Sequence, residues 1–390
     1  MLLTADRVFD GHTMRVDAAV LIEGGLVRAV GPVGELTAQG LVIDLGDATI
    51  LPGFIEPHAH ARLAGVSLDV VVRHGITTLQ DLGGPLRAPE GGRGSLRLLS
   101  AGPILTAPGG YPIPAFGQTG LARVVTSDTD GRAAVRELTA GGASIIKIAL
   151  EPGGEPGAPW MRHGPHGGAG EADLETARHT TPRALAAHAP WPMLSPAIVA
   201  AIVDEAHRLG KRTIAHLSDD AGVTVALDAG VDAWAHVPCL PVDGALLRRA
   251  AERGTIVVTT LDTLSACPGT EGNAGQLVAF GAPLIYGSEI AHADVPWGID
   301  AEELDAMRAA GLGPLDVLRA ATSRSGEALG LAPLGSLLPG APADIVAVRG
   351  DVMAGFKRLE YPDLVVSGGQ IVVNRFAPPA RRAAGLRASQ

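Results

Sequence analysis

His58 and His60 stand two residues apart in the run Leu51-Pro52-Gly53-Phe54-Ile55-Glu56-Pro57-His58-Ala59-His60. On a strand, side chains two apart project to the same face. Two imidazoles aimed from the end of an apolar strand make half of a metal site, although a lone pair like this also fits two unrelated surface histidines. More polar residues sit in or just after apolar runs. Lys147 lies within Ser144-Ile145-Ile146-Lys147-Ile148-Ala149-Leu150, His216 ends Arg212–His216, His236 ends Asp232–His236, and Gly287-Ser288-Glu289 follows Leu284. Singly, His216 and His236 read as core histidines. Together with His58 and His60 on successive strand ends they read as a ligand set. Neutral imidazoles with oxygen ligands suit Zn²⁺, with Mn²⁺ or Co²⁺ as alternatives. A bound ion lowers the pKa of water toward ~7 and polarises a carbonyl, and two ions about 3.5–4 Å apart share a bridging hydroxide.

Lys147 is unusual in this chain. Of 31 basic residues only Lys147, Lys211 and Lys357 are lysines. A lysine between isoleucines is costly to bury unpaired, and one resolution is a carboxylate partner such as Glu151. The other is a need for an amine in particular: reaction with CO2 gives a carbamate, an anionic oxygen ligand able to bridge two ions.

These residues need a scaffold that brings strand ends together. Apolar runs at Ile76–Gln80, Ile104–Ala107, Ser144–Ala149, Arg212–His216, Ala233–Val237, Ile256–Thr260 and Leu284–Gly287, with the run into His58, predict eight strands. Between them lie helical patterns at Asp128–Ala140, Pro196–Leu209, Ala221–Asp228, Asp243–Arg253, Ala301–Ala310 and Pro314–Thr322. Ser195-Pro196 is a cap followed by a first-turn proline, and Gly210 closes that helix. Strands alternating with helices predict a parallel sheet, and eight units over about 280 residues fit a (β/α)8 TIM-type barrel. No G-x-G-x-x-G follows a strand, which weakens a dinucleotide-binding alternative. Residues 1–50 and 335–380 read instead as short strands with Gly-rich turns, a small β-sandwich domain built from both chain ends. The barrel is then 51–334. Within it, 151–192 breaks the alternation: rich in Pro, Gly and His (His163, His166, His179, His188), it reads as a lid-like insertion over the face where such barrels place their sites.

Bulk properties narrow the function. The 390-residue chain is 46% hydrophobic and 18% charged, with net charge −10 and no Lys/Arg run, which argues against nucleic acid as a partner. No stretch approaches the roughly 18 apolar residues of a membrane span. The N-terminal Met1-Leu2-Leu3-Thr4-Ala5-Asp6 lacks a basic n-region. Two cysteines, Cys239 and Cys267, imply no disulfide framework, so a reducing cytoplasm is the expected location.

The set of motifs resembles the amidohydrolase superfamily. The matching pieces are Leu51–His60, Gly75-Ile76-Thr77-Thr78 with Asp81-Leu82-Gly83-Gly84, the strand-four lysine, the two strand-end histidines, and Gly335-Ser336-Leu337 with Pro339–Val346. Val203–Lys211 is most similar to the branch of Xaa-Pro dipeptidases and imidazolonepropionase-like hydrolases. The resemblance implies that His58 and His60 hold a more buried ion, His216 and His236 a more exposed one, and carbamylated Lys147 bridges them. It also implies an aspartate after strand eight that binds the buried ion and shuttles a proton. His207 and His74 fall inside helices and read as structural.

Two departures stand out. Where the family usually reads Gly-Thr-Asp, this chain reads Gly287-Ser288-Glu289, one methylene longer. Where relatives often have Gly-Gly-His, it has Gly109-Gly110-Tyr111 beside the substrate. Glu289 is the first candidate for the proton shuttle and a metal ligand, Asp294 or nearby His292 the next, and His236 completes the catalytic candidates. The expected reaction is metal-dependent hydrolysis of an amide bond, in a peptide or a cyclic amide, on a small-molecule or peptide substrate. The alternatives are hydrolysis of a larger modified peptide in specialised-metabolite maturation, or a barrel altered toward lyase, isomerase or ligand-binding work. The resemblance leaves room for a homo-oligomer.

Overall fold

Polar groups can converge in the core only if the strands carrying them are pinned along their length. In the computed structural model, which describes residues 1–62, 65–117, 120–161, 190–292 and 294–376, this pinning begins at the strand Ala48–Pro52. All of its residues are buried, and it lies between Leu2–Phe9, which it meets in parallel, and Ile345–Arg349, which it meets antiparallel. The eight-stranded mixed sheet around it runs Gln370–Asn374, Leu364–Ser367, Ile345–Arg349, Ala48–Pro52, Leu2–Phe9, Met14–Glu23, Leu26–Pro32, with Val42–Asp44 alongside Leu2–Phe9. The two ends of the described chain are thus woven into one sheet. It buries an apolar cluster including Leu3, Val20, Ile50, Ile345 and Leu364.

Only Gly53 separates this sheet from the strand Phe54–Ala59. A Cβ at Gly53 would sit 2.2 Å from Thr77 Oγ1, so the close approach of the next strand, Ile76–Asp81, excludes any larger residue. Phe54–Ala59, Ile76–Asp81 and Arg97–Ser100 form a parallel sheet of three. A second parallel sheet of seven runs Ala122–Val124, Ile104–Thr106, Ile146–Leu150, Thr213–Leu217, Ala233–Trp234, Ile256–Val258, Leu284–Ile285. The eight expected strands are all present, joined by Arg97–Ser100 and Ala122–Val124, which carry too little apolar pattern to be read from the sequence. The fold is TIM-barrel-like α/β, with its strands divided between two parallel sheets. The sheets meet where Ala59 bridges Ile290, with the His60 N–H donating to the Ile290 carbonyl at 3.0 Å, and where the Ser144 N–H donates to the Ser100 carbonyl at 2.8 Å.

The helices follow their capping signals. Ser127 caps Asp128–Ala140, Ser195 caps Pro196–Arg208, and Asp243 caps Gly244–Glu252, each through a side-chain oxygen accepting a backbone N–H. Among the described residues, no helix is long and apolar enough to cross a membrane. Of the 151–192 segment, His163, His166, His179 and His188 lie outside the described residues.

The cysteines differ from the sequence expectation. Cys239 and Cys267 are joined in a disulfide, Cα–Cα 5.0 Å, across 28 positions. Their loops follow Ala233–Trp234 and Ile256–Val258 and become neighbours because those strands pair. Nothing in the local sequence signals this juxtaposition. The sulfurs pack with Ala158, Trp160 and Leu264. Closing a loop of that length predicts a stabilisation of about 3–4 kcal/mol. Cys239→Ser, or reduction of the wild type, should lower the unfolding midpoint accordingly. Superimposable denaturation curves with and without reductant would show that the bond does not form in solution.

Candidate metal centre

The strand register sets the centre. Ile146–Leu150 and Thr213–Leu217 pair with Lys147 opposite Ile214 and Ala149 opposite His216. His58 is the next-to-last residue of the strand Phe54–Ala59, and His236 and Glu289 follow the short strands Ala233–Trp234 and Leu284–Ile285. His58, Lys147, His216, His236 and Glu289 are all at most 2% exposed.

His58 is prepared as a ligand. Its Nδ1–H donates to the Ala235 carbonyl at 2.8 Å, which fixes the tautomer and leaves the Nε2 lone pair pointing inward, 3.3 Å from Lys147 Nζ. His236 Nδ1 meets Thr260 Oγ1 at 2.9 Å, and its Nε2 is buried with no hydrogen-bond partner. Glu289 reaches inward between three imidazoles. It lies 3.8 Å from His60 Nε2, 3.7 Å from His236 Nδ1 and 3.5 Å from His292 Nε2, and its Oε2 makes no hydrogen bond. The His60 and His236 gaps are too long for hydrogen bonds. Ligand atoms of His58, His236 and Glu289 all lie within 4.8 Å of one another. Orphaned buried nitrogen and oxygen atoms of this kind fit a divalent cation.

The surroundings keep these ligands neutral. Burial holds His58, His60 and His236 well below the ordinary histidine range, with Lys147 adding to the effect on each, and brings His216 down to about 4. Burial also lowers Lys147 to about 7, against the opposing pull of Glu289 and Glu155. Among the described residues Lys147 forms no ion pair. Glu151 does not engage it: its Oε1 accepts the N–H groups of Gly153 at 2.5 Å and Gly154 at 2.7 Å. In His292, burial disfavours the charged form but Glu289 outweighs it, so the pKa is raised.

Three contributors escaped the sequence reading. Glu56 is fully buried, its Oε1 accepting from the His58 N–H at 2.8 Å and its Oε2 from Ser288 N–H at 2.9 Å and Ser288 Oγ at 2.7 Å. It therefore clips the first strand to the strand-eight turn. Glu289 itself sits at φ +60°, a strained backbone for a residue other than glycine, held because Ser288 is fastened by Glu56 on one side and its carbonyl accepts from Thr263 Oγ1 at 2.8 Å on the other. Glu155 approaches His216 Nε2 at 3.2 Å. Trp160 lies 5.4 Å, ring to ring, from both His236 and His292. No motif spacing points to any of these. Tyr111, noted in the sequence as a departure, stacks on His216 with ring centroids 4.1 Å apart.

Asp294 is exposed and lines an outer cleft with Asp262, Asp300, Glu302, Lys357 and Glu360, away from the imidazoles. His207 pairs with Asp232 at 2.9 Å on the surface, and His74 caps Leu68–Arg73.

Residues 49–372 match the sequence profile of the amidohydrolase family. The chain belongs to the amidohydrolase family. Members of this family are hydrolases of carbon–nitrogen bonds that generally bind divalent metals. The chain is 24% identical over 353 residues to an uncharacterized protein of Mycobacterium tuberculosis (strain ATCC 25618 / H37Rv), covering 82% of this chain and 84% of that protein. Over 49 residues it is 51% identical to the imidazolonepropionase of Salinispora tropica, 13% of this chain and 12% of that one. Its fold superimposes on a Xaa-Pro dipeptidase solved with methionine in the active site, at TM-score 0.76 and 21% identity, covering 95% of this chain and 98% of that one. In this amidohydrolase two buried acids, Glu56 and Glu289, meet through Ser288.

Glu56→Gln tests that clip. One amide end must face an N–H or O–H donor, so at least one buried group loses its partner, at a cost of about 1–3 kcal/mol in unfolding free energy. Unchanged denaturant stability would mean the clip carries no weight.

Proposed function

We propose that this amidohydrolase cleaves an amide bond, in a peptide or a cyclic amide, with divalent metal held by His58, His60, His236 and Glu289, and by His216 and Lys147 across the centre. The observation that carries this reading is the buried set of His58, His236 and Glu289, with His236 Nε2 and Glu289 Oε2 left without protein partners. Zinc is the favoured ion, with Mn²⁺ or Co²⁺ as alternatives, and a CO2-derived carbamate on Lys147 would add the anionic oxygen that a bridging position needs.

A bound ion would supply Lewis acidity at the scissile carbonyl and a water with its pKa lowered to near 7. The chain's own groups do the rest. Glu289, between His60, His236 and His292, is placed to take the proton as water adds to the carbonyl carbon. It then returns that proton to the nitrogen as the C–N bond breaks. The Ser288 clip keeps its carboxylate aimed despite the longer side chain. Tyr111 packs with Trp191 at 6.1 Å and Phe116 at 6.4 Å, and with Trp160 it forms an aromatic wall in a chain that is only 3% aromatic. Such a wall suits a substrate with an apolar side chain or ring beside the bond to be cut. A larger modified peptide fits the same description. Glu289 pointing into the centre favours hydrolysis over the altered-barrel alternatives.

Protein grown with zinc and bicarbonate should carry divalent metal, lose it with His58→Ala or His60→Ala, and lose turnover with chelators. Less than about half an equivalent of metal in the wild type would overturn the reading. On a substrate found by screening dipeptides, lactams and N-acyl amino acids, Glu289→Ala should cost about 10²–10⁴ in kcat, while Glu289→Asp stays active. Full turnover by Glu289→Ala would move the proton shuttle elsewhere, Asp294 first. Lys147→Ala should lose metal and activity together, with partial rescue by acetate or propionate. An unmodified Lys147 in a well-ordered experimental structure would count against the carbamate.

A further inference from the structure

The outer cleft past the strand-eight turn carries negative charge that the protein does not balance. It encloses about 310 Å³ and is lined by Asp262, Asp294, Asp300, Glu302 and Glu360, with Lys357 as the one cation among them. Lys357 is 69% exposed and stays at the rim, 3.3 Å from Glu302 and 2.8 Å from Glu360. Among the described residues, the three aspartates form no ion pair with an arginine or lysine.

Asp300 is the residue that points to a ligand. It borders the cleft yet is only 1% exposed. Its Oδ1 is turned to the helix Ala301–Ala309, accepting the N–H groups of Glu302 at 3.0 Å and Glu303 at 3.3 Å. Its Oδ2 is buried and has no hydrogen-bond partner. That oxygen has lost its hydration without gaining a donor in exchange. Burial, and then the charge of Asp262, push Asp300 up to about 6. Burial, Glu302 and Asp294 in turn raise Asp262.

The spacing of the acids selects the kind of cation. A bare metal ion needs several oxygens around one point. Among the described residues, no three carboxylates of the cleft have oxygens all within 4.8 Å of one another. Val295 and Pro296 complete the lining with apolar surface. Spread acids beside an apolar strip suit a cation that carries N–H donors on an alkyl stem. A volume near the lower end of ligand pockets suits a small one.

We propose that this cleft is a binding site for a small organic cation, an alkylammonium or alkylguanidinium, whose N–H donors reach Asp300 Oδ2 and Asp262 while its stem lies on Val295 and Pro296. The site is separate from the imidazole cluster and does not depend on the metal-dependent reading. Lys357 competes with the ligand for Glu302 and Glu360, so its removal should tighten binding.

Calorimetric titration of the full-length protein with putrescine, butylguanidine, butanol and Mg²⁺ tests this. Wild type, Asp300→Asn, Asp262→Asn, Lys357→Met and His58→Ala are compared, with thermal unfolding of each as a check on folding. Asn caps a helix about as well as Asp, so Asp300→Asn keeps the Oδ1 contacts and replaces only the free oxygen. The expected result is one saturable site for both organic cations, weakened by added salt, and none for butanol. Asp300→Asn and Asp262→Asn should each weaken it about tenfold or more, Lys357→Met should strengthen it, and His58→Ala should leave it unchanged. Unchanged affinity in folded Asp300→Asn and Asp262→Asn would overturn the inference. So would loss of binding in His58→Ala, which would place the amine at the imidazoles. Tighter binding of Mg²⁺ than of either organic cation, lost in Asp300→Asn, would overturn it in favour of a metal ion. A wild type with no saturable binding would overturn it outright.

Discussion

Placing many polar groups in one spot without water is the constraint that shapes this molecule. Four histidines, a lysine and four glutamates are gathered inside the fold, and most are almost wholly buried. Each would be expensive there alone. The protein offsets part of this with backbone donors. Glu56 takes three donors from His58 and Ser288, Glu151 two glycine N–H groups, and His58 gives its Nδ1–H to Ala235. Among the atoms left without a hydrogen-bond partner are His236 Nε2 and Glu289 Oε2, the two that the proposed ion would engage. Burial also keeps the imidazoles neutral, the form a cation needs.

Much of this was legible because strands and metal ligands leave periodic traces. Apolar runs ending in His58, His216 and His236 gave both the strand positions and the ligands in one signal. The observed strands Ile146–Leu150 and Thr213–Leu217 begin and end within two residues of those runs. Asp128–Ala140 was readable at both ends because Ser127 caps one end and a glycine follows the other. The mixed sheet was readable as β-rich chain ends, but not its pairing, which joins residues some 300 positions apart.

What stayed hidden acts through the backbone or lies in aperiodic sequence. Glu56 serves by accepting main-chain donors and Ser288 Oγ, and no spacing rule marks such a role. Glu155 sits among glycines and prolines, where neither helical nor strand period places a side chain. The disulfide depends on two loops becoming neighbours through the strand order, which distance along the chain conceals. Glu289 was legible as an anomaly but not in its solution. The longer side chain comes with a positive φ at Glu289, next to the firmly held Ser288.

The strand Ala48–Pro52 is clamped between Leu2–Phe9 and Ile345–Arg349, and only Gly53 links it to the strand that ends in His58. This ties the ligand pair to the order in which the chain is made. A nascent protein has one flank of that strand as soon as its first fifty or so residues emerge, and lacks the other until nearly the whole barrel has been synthesised. Until then a strand that is wholly buried in the finished fold presents an open edge, the kind that pairs with other chains. The late strand therefore closes that edge and completes the support of His58 and His60 in one step, so assembly of the histidine cluster and protection from misassociation coincide.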